Sequence, residues 1–534
     1  MSEPPLATRA DEGSDQRGDD RAPEPAGQGR WQYLLGRKDA LRRWRGQAVP
    51  VLRHHWLASL LIAVGLVLRV LAQIAYQPAL VYIDTAKYLY HAYPGSDPLG
   101  YEVVLKVLIH LGGLATVAAI QHLLGLAMAV ALYVLLLRRG VNRWLAAIVI
   151  APVLLDAYEL QMEQMIMPDV WFEAMLVAGV LLLLWRPAIT TSLLVITGLV
   201  LGASATMRQL GEELIVPAVL YLLFLGGGWR TAIKRSVILA VAFAVPIIGY
   251  CTVSDALYGH FWLARGQTSI GRETEAADCA TLKLPAQVRP FCPTPAQQRL
   301  GPDYLEHSVK SPLYSTPVPA GTTRNAIFRE LGSAIRHQQP VRVAGAIVRD
   351  SVRLFALTRD GAESETPISR WQFQTTYPTA PPWVKLEHGK IRIGLQSVNF
   401  GGFHFVSPPG AQEHVIHPVA VFLHDYQVDG GYTPGPLYAL CFLLGLAGSL
   451  LTVFTVIRRR AGPKTKQLGL ACLLLTVIAV VVVLVPDVFE FSWRYELPAT
   501  IVLPAAGALG LLTLLSWRRE PKQQAQPAQT QPGE

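Results

Sequence analysis

The chain has 534 residues, 51% of them hydrophobic and only 16% charged, with a mean hydropathy of +0.32. Soluble proteins carry about a quarter charged residues, so an ordinary soluble enzyme is excluded and the membrane is indicated. The formal charge of +9 could suggest nucleic acid, but its placement along the chain is that of membrane topology.

Residues 1–50 begin with a stretch rich in Asp, Glu, Gly, Pro and Arg and poor in large apolar residues. Such a stretch cannot bury enough surface to fold, and it predicts a disordered cytoplasmic tail. The first apolar run starts near Trp56, too late and too long for a cleavable signal, and reads as a signal anchor. Apolar runs over 56–76, 114–137, 144–160, 169–185, 189–207, 213–229 and 236–256 predict seven transmembrane helices within 51–256. Residues 257–434 are polar and proline-rich, 435–457, 467–486 and 497–517 predict three more helices within 435–519, and 520–534 is a Gln/Pro-rich tail. The expected fold is therefore an all-α polytopic membrane protein of about ten helices with one large mixed insertion.

Alternate connections fix the orientation. One set holds Arg138, Arg139, Arg143, Arg186, Arg230, Lys234, Arg235, Arg458, Arg459, Arg460, Lys464 and Lys466; the other holds only Lys87, Lys106, Arg208 and Arg494. Twelve against four places both termini in the cytoplasm and residues 257–434 outside a plasma membrane. The Ala/Arg/Val/Pro-rich composition suggests a high-GC bacterium.

Within the insertion, Cys279 and Cys292 stand 13 positions apart among proline and charged residues. An oxidising outer location favours a disulfide between them, worth about 3 kcal/mol by restricting the unfolded loop. Neither belongs to a CxxC pair, which argues against zinc. Cys251, Cys441 and Cys472 lie in apolar runs and read as small buried residues. Thr322 or Thr323 can cap a helix bearing the stripe Ile327, Leu331, Ala334 and Ile335, and Pro340 can open a second with Val343, Ile347 and Phe355. Both can lie on the outer leaflet or pack on the bundle. Lys390–Val398 alternates weakly, as short strands do.

The chemistry-bearing residues stand at the outer ends of helices, where charge is costly unless it is used or solvated. The first outer loop reads Tyr82-Ile83-Asp84-Thr85-Ala86-Lys87-Tyr88. Glu159, Glu163 and Asp169 lead into the fourth span, within Met167-Pro168-Asp169-Val170-Trp171-Phe172 at its mouth. Arg208 stands with Glu212 and Glu213 in the third outer turn, and Arg494-Tyr495-Glu496-Leu497-Pro498 opens the last span. Each has a plainer role: Asp84 as a loop acid, Asp169 as a helix cap, Arg208 paired to Glu212, and Arg494 as a headgroup anchor.

In the order, side and spacing of these segments, residues 56–257 and 435–517 resemble the polyprenyl-phosphate-sugar-dependent glycosyltransferases of the GT-C fold. That group includes protein O-mannosyltransferases, the aminoarabinose transferase of lipid A and arabinofuranosyltransferases. Asp84 stands without a neighbouring second acid, and the motifs of the oligosaccharyltransferases are missing. The resemblance implies transfer of a sugar from a polyprenyl-phosphate carrier to an envelope glycan, lipid or protein hydroxyl, with inversion. A carboxylate would take the proton of the attacking hydroxyl, which falls to Asp84, with Asp169 and Glu163 holding the acceptor or shaping the catalytic site. Cationic donors would hold the leaving phosphate, which falls to Arg208, Arg494 and Lys87.

No cofactor is expected. Some members of the resembling group need a divalent cation, but these carboxylates are scattered, and His404, His414, His417 and His424 form no compact HxxxH or HExxH motif. Nucleic acid is not an expected partner. Two other classes compete: a transporter or flippase of lipid-linked envelope precursors, and a non-catalytic envelope assembly protein. The sequence shows no internal repeat and only two isolated charges within its spans, Arg69 and Asp156, which counts against transport.

Overall fold

A computed structural model of the protein describes residues 50–82, 84–89, 97–186, 188–264, 269–361, 366–377, 384–387, 390–393, 396–399, 414–458 and 462–524. Residues 1–49 and 525–534, most of the two expected tails, lie outside these, as does His404. The chain divides into two units, Met1–Trp56, in which residues 50–54 are helical and exposed, and Leu57–Glu534, which carries the remaining features.

The principal helices before the insertion are α1 (Trp56–Ala75), α2 (Gly100–Arg138), α3 (Ala157–Gln164), α4 (Asp169–Leu184), α5 (Thr191–Met207), α6 (Ile215–Leu225) and α7 (Trp229–Tyr258). Within it are α8 (Gly301–His307), α9 (Arg324–Gln338) and α10 (Pro340–Ser351). After it come α11 (Gly435–Ile457), α12 (Pro463–Leu484) and α13 (Leu497–Gln524). Among the described residues, six helices are long and apolar enough to cross a bilayer: α1, α2, α7, α11, α12 and α13. Large apolar side chains stand exposed along them, as at Val64 and Val67 on α1, Val241 and Val245 on α7, and Leu443 and Leu450 on α11. This is a helical polytopic membrane protein.

The other four expected spans are shorter than the roughly 20 residues that cross the hydrocarbon. Residues 144–160 break into three helices: Pro152 sits in the first turn of the second, Ala151–Leu155, and Asp156 ends that helix and caps α3 by accepting from Tyr158 N at 3.1 Å. α4, α5 and α6 have 16, 17 and 11 residues. Conversely, α2 has 39 residues because a segment from Gly100 precedes the apolar run, joined to it at Gly113, whose φ of 74° suits glycine alone. α13 continues to Gln524, beyond the expected start of the tail.

α11, α12 and α13 pack against one another, and α5 packs on α7. Small residues let these backbones touch, the usual means of association in lipid: a Cβ on Gly507 would lie 2.7 Å from Cys441 Cα, and one on Gly202 would lie 2.1 Å from the Phe243 carbonyl oxygen.

The insertion has its own core of Ile270, Phe291, Leu305, Leu313, Ile327 and Leu331. Cys279 and Cys292 are disulfide-bonded at its edge, with Cα atoms 6.0 Å apart. Thr323 caps α9, its hydroxyl accepting from Ala326 N at 3.2 Å, and the expected stripe faces inward at Ile327, Leu331 and Ile335. α10 ends at Ser351, short of the expected Phe355, and leaves Val341 and Val348 exposed along one side. Val384–Glu387, Lys390–Ile393 and Gln396–Asn399 form a three-stranded antiparallel sheet.

Candidate functional site

The chain brings the loop that follows α1 onto the entrance of α4 through backbone bonds. β1 (Tyr76–Gln77) pairs antiparallel with β2 (His414–Val415). Leu80 N donates to Gln164 O at 3.0 Å, Ile166 N donates to Leu80 O at 2.9 Å, and the Thr85 hydroxyl donates to Ile166 O at 3.0 Å. Asp84, directly before Thr85, is thereby set beside Asp169, the first residue of α4. A carboxylate there is favoured by the helix dipole. Arg208 ends α5 in an extended conformation, and Arg494 lies in the turn between α12 and α13.

These side chains meet. Arg494 grips Asp169 with two donors, Nε to Oδ1 at 3.0 Å and Nη2 to Oδ2 at 3.0 Å, while its Nη1 donates to Asp84 Oδ2 at 2.9 Å. Arg208 Nη1 donates to the same Asp169 Oδ1. Lys87 Nζ stands 3.1 Å from Asp84 Oδ1 and 2.6 Å from Asp97 Oδ2. Five of the six residues expected to do chemistry thus form one network of two acids and three cations. Exposure rises across it, from 1% at Asp169 and 6% at Arg494 to 20% at Asp84 and 23% at Lys87. The network therefore opens at Asp84 and Lys87 and is closed at Asp169.

Burial would raise the Asp84 carboxyl, but Lys87 and Arg494 outweigh it and hold Asp84 well below the usual carboxylate range. Burial opposes the charge on Arg494, and Asp169 and Asp84 reverse that, so its guanidinium stays protonated under all ordinary conditions. On the same turn, burial together with Asp303 and Asp84 pushes Glu490 up to about 8.

Glu163 does not join the network. Its Oε1 accepts from Arg69 at 2.6 Å, its Oε2 lies 2.7 Å from His122 Nδ1, and the residue is fully buried. With both oxygens engaged there, Glu163 stands apart from the network. Arg69, isolated in the sequence, is this acid's partner and also donates to the carbonyls of Val153 and Leu154. Asp156, the other isolated charge, is held by Arg359 at 2.7 and 3.1 Å and accepts from Thr433 N at 3.1 Å.

Several site residues were not anticipated. Trp371, from the insertion, lies under the Arg494 guanidinium at 5.5 Å and packs on Tyr82 at 4.8 Å. Tyr495 lies 5.6 Å from Arg494 and 5.2 Å from Arg208. Arg370 reaches the Tyr82 hydroxyl at 3.4 Å. The sequence held one signal for these: an arginine directly beside an aromatic, on both sides in Trp493-Arg494-Tyr495 and on one side in Arg370-Trp371. Behind Asp169, one turn along α4, Glu173 faces Glu159, and none of their four buried carboxyl oxygens meets an amide, hydroxyl or cation.

In chemical terms, the arrangement offers guanidinium and ammonium donors that can be handed to a phosphate, an outward acid able to accept a proton, and aromatic faces for an apolar or sugar ring.

No protein-family model and no curated protein matches the chain. Among solved structures, it is similar to the oligosaccharyltransferase AglB of Archaeoglobus fulgidus in complex with an inhibitory peptide and a dolichol-phosphate. That match has 12% identity and a TM-score of 0.37, covering 90% of this chain and 53% of that one. A second Archaeoglobus fulgidus oligosaccharyltransferase structure, tethered with an acceptor peptide, gives 13% identity, a TM-score of 0.40 and coverages of 90% and 51%. ArnT from Cupriavidus metallidurans bound to undecaprenyl phosphate gives 12% identity, a TM-score of 0.31 and coverages of 88% and 81%. The chain spans about half the length of the oligosaccharyltransferases it matches. These neighbours are GT-C fold glycosyltransferases, the class the sequence resembles. At these scores the likeness carries no functional inference of its own.

Proposed function

We propose that the protein is a membrane glycosyltransferase that moves a sugar from a polyprenyl-phosphate carrier to a hydroxyl of an envelope acceptor at the extracytoplasmic face. The observation that supports this reading is the convergence of Asp84, Asp169, Lys87, Arg208 and Arg494, drawn from four separate segments, into one network that is open at one end.

In the resting network Asp84 is neutralised by Lys87 and Arg494, which makes it a poor base. A donor phosphate entering beside Arg494 and Arg208 competes for their N–H groups, and release of Asp84 from Arg494 restores its basicity. The acceptor oxygen then attacks the anomeric carbon as its proton passes to Asp84. The bond from that carbon to the phosphate oxygen breaks, and both electrons leave with the phosphate, held by Arg494 and Arg208. A single displacement inverts the anomeric centre. Asp169, gripped by both arginines, acts by positioning them. The polyprenyl chain lies among the apolar helices, and Trp371 shelters the sugar end.

The test is transfer from carrier lipids in reconstituted membranes. Asp84→Asn is expected to insert and fold while losing about 10²–10⁴-fold in transfer, and Asp169→Asn to lose transfer through misplaced arginines. Full transfer by both variants ends the assignment. Movement of a lipid-linked sugar across proteoliposomes without any transfer would favour a transporter instead.

A further inference from the structure

The turn that carries Arg494 also carries Glu490, and α8 of the insertion meets it there. Asp303 and His307 are four residues apart and share one face of α8. One ligand-capable atom each from Asp303, His307 and Glu490 come within 4.8 Å of one another. The cations whose charge reaches Glu490 are engaged elsewhere: Arg272 donates to Glu275, Asp350 and the Asp487 carbonyl, and Arg370 donates to the Tyr82 hydroxyl. Among the described residues, two carboxylates therefore face each other with the His307 imidazole beside them. That arrangement repels unless a proton or a cation stands between the acids.

We propose that Asp303, His307 and Glu490 form a divalent-cation site of the zinc type, clipping the insertion to the turn that carries the phosphate-binding arginine. Two carboxylate oxygens and one imidazole nitrogen from separate elements match the mixed oxygen and nitrogen sets that hold Zn²⁺. The +2 charge offsets both acids. His307 is exposed while Asp303 and Glu490 are half-buried, so a metal enters from the His307 side and keeps water in its remaining position. Leu305, between the two α8 ligands, belongs to the insertion core, so the clip grips a folded element. The site shares no ligand with the Asp84–Asp169 network, and its existence does not depend on the transfer reaction.

The experiment uses the purified full-length chain, free of any histidine tag and stripped with chelator. Zn²⁺ is titrated against a competing chromophoric chelator, and thermal unfolding is followed with and without metal. The expected result is one saturable equivalent, with affinity reduced at least 10-fold in His307→Ala and in Glu490→Gln. Zn²⁺ should raise the unfolding temperature of the wild type and not that of His307→Ala. Because His307 is exposed, its loss leaves packing intact, and a monodisperse elution profile checks this. Wild-type affinity in His307→Ala overturns the site, as does a wild type with no saturable zinc binding. Preference for Mg²⁺ over Zn²⁺ would overturn the part given to the imidazole.

Discussion

Arg494→Lys separates geometry from charge at the centre of the network. The guanidinium makes three charge-assisted bonds at once, two to Asp169 and one to Asp84, at 3.0, 3.0 and 2.9 Å. An ammonium on a flexible stem keeps the charge but cannot span two carboxylates in a plane. Each bond to a charged group is worth about 1.5–3 kcal/mol. Arg208 remains on Asp169, so losing two of the three should cost about 3 kcal/mol of stability, near the lower end for a broken buried pair. Transfer should fall further than folding does: losing a preorganised donor to the leaving phosphate costs about 10²–10³-fold, or roughly 2.7–4 kcal/mol. The assay is the initial transfer rate in nanodiscs, normalised to folded protein by thermal unfolding. A variant that transfers at the wild-type rate per folded molecule would refute the role given to the two-pronged grip.

Glu163→Gln should lower stability by about 3 kcal/mol, since Arg69 and His122 lose their buried partner. Its transfer rate per folded molecule should not change; a large fall in rate at unchanged stability would return Glu163 to the chemistry. For Asp84, a native carboxyl held below its unfolded value contributes stability above the unfolded titration, lost as the pH falls through the native one. Unfolding temperature should therefore be insensitive to Asp84 from neutrality to about pH 5, given an unfolded value of about 3.9. Lys87→Met, which removes one of the two cations lowering it, should move the acid-side loss to higher pH; coincident profiles would deny Lys87 that influence. Cys279→Ser with Cys292→Ser opens a loop of 13 positions and should cost the insertion about 3 kcal/mol. Faster proteolysis within residues 270–335, with the helical bundle unaffected, would be the readout.

How far the sequence reached follows from the kind of signal each feature leaves. Long apolar runs are self-announcing, so α1, α7, α11, α12 and α13 could be placed from composition alone. Residues 144–160 were apolar enough to read as one span, yet Pro152 and the capping carboxylate of Asp156 divide them. A local break leaves little mark on average hydropathy. The acids and arginines of the network stood out in the sequence because charge at a membrane boundary is costly and so conspicuous. Glu163 was equally conspicuous for a different reason: it answers Arg69, and that pairing across 94 positions is invisible until the chain is folded. Trp371 and Glu490 were missed because the elements they touch are distant in sequence, and no local pattern records a meeting between an insertion and a terminal turn.

Asp156 has a wider consequence. This one carboxylate accepts from Arg359 and from Thr433 N, while the neighbouring Ala157 N donates to Gly431 O at 2.7 Å. The stretch between 360 and 430 thus leaves and returns to a single mooring on the bundle. Between those ends it is tied down again, by Trp371 under Arg494, by Phe373 N donating to Gln427 Oε1 and by β2 on β1, so its return path is held against the bundle. Cutting Arg359 from Asp156 should therefore loosen both ends of the stretch at once, and with them the hold on Trp371.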